Sequence, residues 1–138
     1  MKALIVALCL ALPSVAVASE LPYQAKPYAS HGISITPEKI FLKKDKLWVR
    51  VHVLNETGKL LTMDKTQITL RMNGAVIGRE GGVFNKNPKP EYVQPGLTHP
   101  LYIEFIVGAV PAPAELDLSH GFIVDGKSLA LAPYHVAP

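Results

Sequence analysis

The stretch Leu47-Trp48-Val49-Arg50-Val51-His52-Val53-Leu54 decides the fold class. In an extended chain Leu47, Val49, Val51 and Val53 fall on one side, and Trp48, Arg50 and His52 on the other. Strict alternation with β-branched residues on one face marks a strand that is packed on one side and wet on the other. A helix would scatter the same four apolar residues around its circumference.

The pattern recurs on both sides of this stretch. Upstream, Ile33-Ser34-Ile35-Thr36 alternates and Ile40-Phe41-Leu42 resumes after Pro37, predicting a first strand broken at the proline. The polar turn 43–46 and the loop Asn55-Glu56-Thr57-Gly58-Lys59 bound the central strand. Downstream, Ile68, Leu70 and Met72 point inward while Thr69 and Arg71 point outward. Asn73-Gly74 then predicts a type I′ hairpin returning through 75–79, because that turn needs positive φ at both central residues. The segment 81–91, rich in Gly, Asn and Pro, reads as the longest loop. Gln94-Pro95-Gly96 is a turn, followed by a second inward stripe of Leu101, Ile103, Phe105 and Val107 that ends at Pro111 and Pro113. Leu116 and Leu118 mark a short strand, and 122–124 is expected to pair with 128–131 across Asp125-Gly126. No segment carries apolar residues at i, i+3, i+4 and i+7. The predicted fold is all-β, an antiparallel β-sandwich of about seven strands. Its expected core includes Val49, Val51, Val53, Leu70, Ile103 and Phe105.

The N-terminus carries a different signal. Met1-Lys2 is a positive start, Ala3 to Leu12 an apolar run, Pro13-Ser14 a break, and Ala16-Val17-Ala18 a small-x-small cleavage pattern. We therefore expect a cleavable signal peptide over 1–18, too short for a permanent membrane span. Residues 19–31, punctuated by Pro22 and Pro27, read as an extended arm, and 32–138 as the single folded domain. Localisation is expected to be extracytoplasmic, either periplasmic or secreted. The sole cysteine, Cys9, lies in the leader, so the processed chain would hold no disulfide, thiolate zinc site or cysteine nucleophile. The formal net charge of +3 is mild, and the Lys and Arg residues are scattered rather than gathered on one face. Nucleic acid is excluded as a partner on that distribution.

Two segments carry a family likeness. Leu47–Gly58 resembles the alternating strand followed by Asn-x-x-Gly that forms the second strand of secreted immunoglobulin-like domains. Val93-Gln94-Pro95-Gly96, followed by Leu101-Tyr102-Ile103-Glu104-Phe105, is similar to the fifth strand of the same group. Over roughly residues 32–131 the chain looks like the DUF4352-like bacterial extracytoplasmic domains. That resemblance implies an immunoglobulin-like sandwich acting in adhesion, assembly or ligand binding.

Chemistry-bearing groups are sparse. No two of the five histidines stand at i, i+2 or i, i+4, the spacings that put two imidazoles on one face. His52 and Met63 are spaced like the start of the methionine–histidine motif of periplasmic copper chaperones, and soft thioether plus imidazole suits copper(I). The later His-x-Met is absent, since His99 is followed by Pro100-Leu101. No serine lies in a Gly-x-Ser-x-Gly turn. Ser119-His120, read as adjacent strand residues, would point to opposite faces. Asn55-Glu56-Thr57 matches a glycosylation sequon but reads as a turn. No catalytic, metal or cofactor residue is assigned, and an enzyme is not expected.

What remains is the outer face of the sheet. Pairing the strand at 47–54 with that at 101–107 so that residue numbers sum to 154 sets Arg50 opposite Glu104, Trp48 opposite Ile106 and His52 opposite Tyr102. Trp48, Arg50, Tyr102, Glu104 and Ile106 then form a candidate patch for another extracytoplasmic protein, because Trp, Tyr and Arg dominate binding hot spots. The expected function is a non-enzymatic binding or assembly module. The alternative is a periplasmic copper or small-ligand carrier.

Overall fold

The computed structural model describes residues 19–78 and 89–138. The expected signal peptide and most of the expected 81–91 loop lie outside the described residues. The strands are β1 (Leu21–Pro22), β2 (Gln24–Ala25), β3 (Tyr28–Ser30), β4 (Ile33–Lys43), β5 (Lys46–Asn55), β6 (Leu61–Met63), β7 (Thr69–Met72) and β8 (Ala75–Gly78). They continue with β9 (Glu91–Val93), β10 (Thr98–Ile106), β11 (Ala114–Asp117), β12 (Phe122–Val124), β13 (Lys127–Ser128) and β14 (Tyr134–Ala137). One 3₁₀ turn, Lys65–Gln67, is capped by Asp64, whose side chain accepts from the Thr66 amide. Among the described residues no helix is long and apolar enough to cross a membrane.

All pairings are antiparallel. One sheet runs β1-β4-β5-β10 with β3 also on β4, a second runs β2-β14-β11-β7-β8, and a third runs β13-β12-β6-β9. Their inner faces meet in one core, so the predicted all-β antiparallel sandwich is what forms. Leu47, Val49, Val51 and Val53 are buried along β5, and Leu101, Ile103 and Phe105 beside them along β10. Ile68, Leu70 and Met72 are buried as expected. The Asn73-Gly74 hairpin has φ of 52° and 80°, as a type I′ turn requires.

Several elements differ from the sequence reading. The strands outnumber the expected seven or so because short segments β1, β2, β3, β6, β9 and β14 pair in addition to the expected ones, and β6, β9 and β14 carry no alternation long enough to read. β4 is continuous through Pro37 rather than broken there. Its pairing with β5 slips by one residue between Pro37 and Lys39, a bulge at Glu38. A proline, having no amide to donate, is tolerated at such an irregularity. The bulge also changes which parity points inward. Ile33 and Ile35 are buried before it, and Ile40 and Leu42 after it. The arm 19–31 is extended, as expected, but it is woven into the sandwich. β1 and β3 pair with β4, β2 pairs with β14, and Tyr23 enters the core. His31-Gly32, with φ of 48° and 80°, is a second tight hairpin that turns β3 into β4.

Candidate functional site

β4, β5 and β10 turn their second faces outward, and the predicted patch lies there. Trp48 is outside the core cluster and half-buried. Tyr102 is 46% exposed and Ile106 51% exposed. The faces are therefore as predicted, but the register is not. Tyr102 stands opposite Arg50, Glu104 opposite Trp48, Ile106 opposite Lys46 and Pro100 opposite His52. The pairs sum to 152, two residues from the expected alignment. A two-residue slip keeps every side chain on its own face, so alternation cannot detect it. The strand ends decide it: Asn55 N donates to Leu97 O at 3.0 Å, and Gly96 N donates to Asn55 O at 2.7 Å.

The corrected register builds a different cluster from the expected Arg50–Glu104 cross-strand pair. Phe41 points outward from β4, yet it is only 5% exposed. Trp48 covers it, the two rings stacked 5.8 Å apart with planes 5° from parallel. The Arg50 guanidinium carbon lies 5.5 Å from the Phe41 centroid, 5.4 Å from Trp48 and 5.8 Å from Tyr102. A cation over ring faces is attracted by their quadrupoles, by roughly 0.5–1 kcal/mol at exposed sites. The Lys39 ammonium also lies over the Phe41 ring, 4.7 Å from its centroid, and is paired with Glu20 at 2.8 Å.

Glu38, delivered by the bulge, closes the cluster. Its Oε1 accepts from Tyr102 Oη at 2.8 Å and lies 2.8 Å from His52 Nε2. The bond from Tyr102, followed by that from His52, holds the Glu38 carboxyl below the usual carboxylate range. The same bond is the first cause pushing the Tyr102 phenol up. Phe41, Glu38, Lys39 and Glu20 belong to this face and were missed from sequence. A bulge leaves no residue-level signature, and without it the outward side of 38–41 cannot be assigned.

Other predicted sites fare differently. His52 and Met63 are not brought together: His52 is on the outer face with Glu38, and Met63 is fully buried in the core. Among the described residues no group of three or more His, Cys, Asp or Glu could hold a metal. Ser119 and His120 do form a contact, contrary to expectation, with Oγ and Nδ1 2.9 Å apart. They lie in a turn rather than a strand, so the opposite-face argument does not apply. The Ser119 hydroxyl donates to Asp117 at 2.6 Å and its amide to the same oxygen at 3.0 Å. Those bonds hold the Asp117 carboxyl low and close the turn. The serine proton is thus committed to a carboxylate instead of an imidazole base. Asn55, the sequon asparagine, is wholly buried, and its Nδ2 donates to Lys59 O and Val93 O. For the small-ligand alternative there is an open groove of about 530 Å³, walled by Ala25, Tyr28, Ser34, Ile35 and Pro37 among others, without an imidazole or carboxylate.

The architecture defines an antiparallel β-sandwich with an aromatic and charged outer face. Two solved structures share the fold. The yjhA protein of Bacillus subtilis matches with a TM-score of 0.54 at 11% identity, over 68% of this chain and 77% of that one. The ycdA protein of the same bacterium, described provisionally as a lipoprotein, matches with a TM-score of 0.60 at 15% identity. That match covers 81% of this chain but only 38% of ycdA. No protein-family model and no curated protein matches the chain.

Proposed function

We propose that the chain is a non-enzymatic extracytoplasmic module, of the DUF4352-like kind, that binds or assembles with another protein through the outer face of β4, β5 and β10. The observation that carries this reading is the exposure of Tyr102 and Ile106 beside an Arg50 fixed among three rings. Exposed aromatic and aliphatic groups around a positioned arginine are the composition of a binding hot spot. The fold likeness to a provisional lipoprotein and the leader-like sequence of 1–18 support an extracytoplasmic setting.

The test uses Tyr102→Ser with Ile106→Ser, because Trp48 covers buried Phe41 and its removal would confuse binding with packing. The wild-type chain should capture a defined partner from the native extracytoplasmic fraction. The double variant should lose that capture while its unfolding free energy moves by less than about 1 kcal/mol, as expected for surface changes. Undiminished capture by the variant would remove the surface from the account.

A further inference from the structure

We infer that this face takes an acidic segment of its partner, with Arg50 receiving one carboxylate. The inference rests on the surface reading above and names the chemistry of what binds there. A guanidinium carries five N–H donors in a planar fork, and ring faces satisfy its charge without accepting those hydrogen bonds in the plane. Among the described residues the neighbours of the Arg50 guanidinium are the faces of Phe41, Trp48 and Tyr102, and it makes no ion pair. The acids near it are otherwise engaged: Glu38 with Tyr102 and His52, Glu20 with Lys39, and Glu104, between Tyr102 and Ile106 on the same face, with a partner of its own. The positive field of Arg50 still reaches both carboxyls, where it is the weakest of the charges that lower them. The bulge therefore supplies an acid to this cluster and spends it on Tyr102 and His52.

This arrangement suits a carboxylate from outside. The three rings surround the guanidinium at 5.4–5.8 Å and restrict the side chain, so less side-chain entropy is lost when a planar bidentate acceptor docks. Arg–carboxylate pairing is bidentate and charge-assisted, among the stronger polar contacts available at a surface. Exposed Tyr102 and Ile106 flank the site, so the acidic residue should have an apolar neighbour to cover them. The chain's net charge of +3, which becomes +2 once Lys2 leaves with the expected leader, favours approach of an acidic partner.

Trp48 is the only tryptophan and lies beside Arg50, so its fluorescence reports the site directly. The probes are an end-capped peptide bearing four glutamates and two leucines, its glutamine isostere, and inorganic phosphate. The acidic peptide should change Trp48 emission saturably, and the isostere should bind at least about tenfold more weakly. Arg50→Gln should cost at least about tenfold and Arg50→Lys should recover only part, because ammonium keeps the charge but not the fork. Circular dichroism of both variants checks that the fold is retained. Equal binding of peptide and isostere, or no effect of Arg50→Gln in a folded variant, overturns the inference. Tighter binding of phosphate than of the peptide overturns it in favour of a phosphorylated ligand. If no peptide binds while capture dependent on Tyr102 and Ile106 persists, the acidic ligand is wrong and the surface reading stands. If that capture is also independent of Tyr102 and Ile106, both fall.

Discussion

Among the described residues Asn55 is the buried polar residue of the interior, and every hydrogen-bonding capacity of its amide is used. Nδ2 donates to Lys59 O at 2.7 Å and to Val93 O at 2.8 Å. Oδ1 accepts from the Thr57 amide at 3.0 Å and from the Thr57 hydroxyl at 2.6 Å. The side chain thus acts as a short extra strand between the end of β5, its own loop and β9. It stands beside the backbone bonds to Gly96 and Leu97 that fix the β5–β10 register. The sequence marks this position as Asn-x-x-Gly, but polarity there reads as exposure until the strand ends are brought together. Asn55→Ala would remove four hydrogen bonds and leave the buried Val93 O unpaired, at about 1–3 kcal/mol for that group, while Thr57 Oγ1 and Lys59 O keep their bond to each other. The expected loss is about 3 kcal/mol in urea unfolding. Asn55→Asp should not rescue it, because a carboxylate cannot donate to two carbonyls. A loss below about 1 kcal/mol for Asn55→Ala would mean that the loop satisfies itself without the amide.

Among the elements, β4 shows how one residue sets a surface. Its inward residues change from odd to even numbers across Glu38, so the bulge lets Ile33 and Ile35 share the core with Ile40 and Leu42. Deleting Glu38 would force one of those pairs out, along with every side chain on its half of the strand. Loss of the native fold, seen as lost protection from proteolysis, is the expected result. Glu38→Ala removes only half-exposed contacts and should cost about 1 kcal/mol or less. A deletion variant with wild-type stability would show that the bulge is incidental. The same strand marks the limit of what the sequence states. Alternation along 47–54, 68–72 and 101–105 specifies faces, because burial on one side leaves a period of two. Register needs the strand ends, a bulge needs the partner strand, and three-residue strands such as β6 and β9 are too short to show a period. The outward side of these strands was therefore legible residue by residue, while its pairings and the places of Glu38 and Phe41 on it were not.

At the scale of the whole molecule, the N-terminal arm and the C-terminal strand tie the sheets together. β1 and β3 lie on one sheet and β2 on another, with Tyr23 Oη bonded to Ala112 O and Tyr28 Oη to Ala132 O. Tyr28 meets Tyr134 of β14 edge to face, ring centroids 5.5 Å apart. Tyr134 is 2% exposed, and among the described residues its hydroxyl has no partner. Burial pushes its phenol from the ordinary 10.0 up to about 12, and burial pushes Tyr28 upward as well. The folded state keeps these phenols neutral, so their contribution is complete below pH 10, where the unfolded chain is also neutral. Above that the unfolded chain ionises first, and stability falls as pH rises toward the folded value near 12. Tyr134 alone should contribute a slope of at most about 1.4 kcal/mol per pH unit across that window. Tyr134→Phe deletes an unsatisfied hydroxyl and keeps the ring contact, so at pH 7 the variant should be as stable as the wild type or slightly more so. Between pH 10 and 12 its stability should fall less steeply, the remaining slope including Tyr28. Urea unfolding at stepped pH measures both effects. A variant weaker at neutral pH would reveal a bond made by the Tyr134 hydroxyl, and an unchanged alkaline slope would show that groups other than Tyr134, Tyr28 among them, set it.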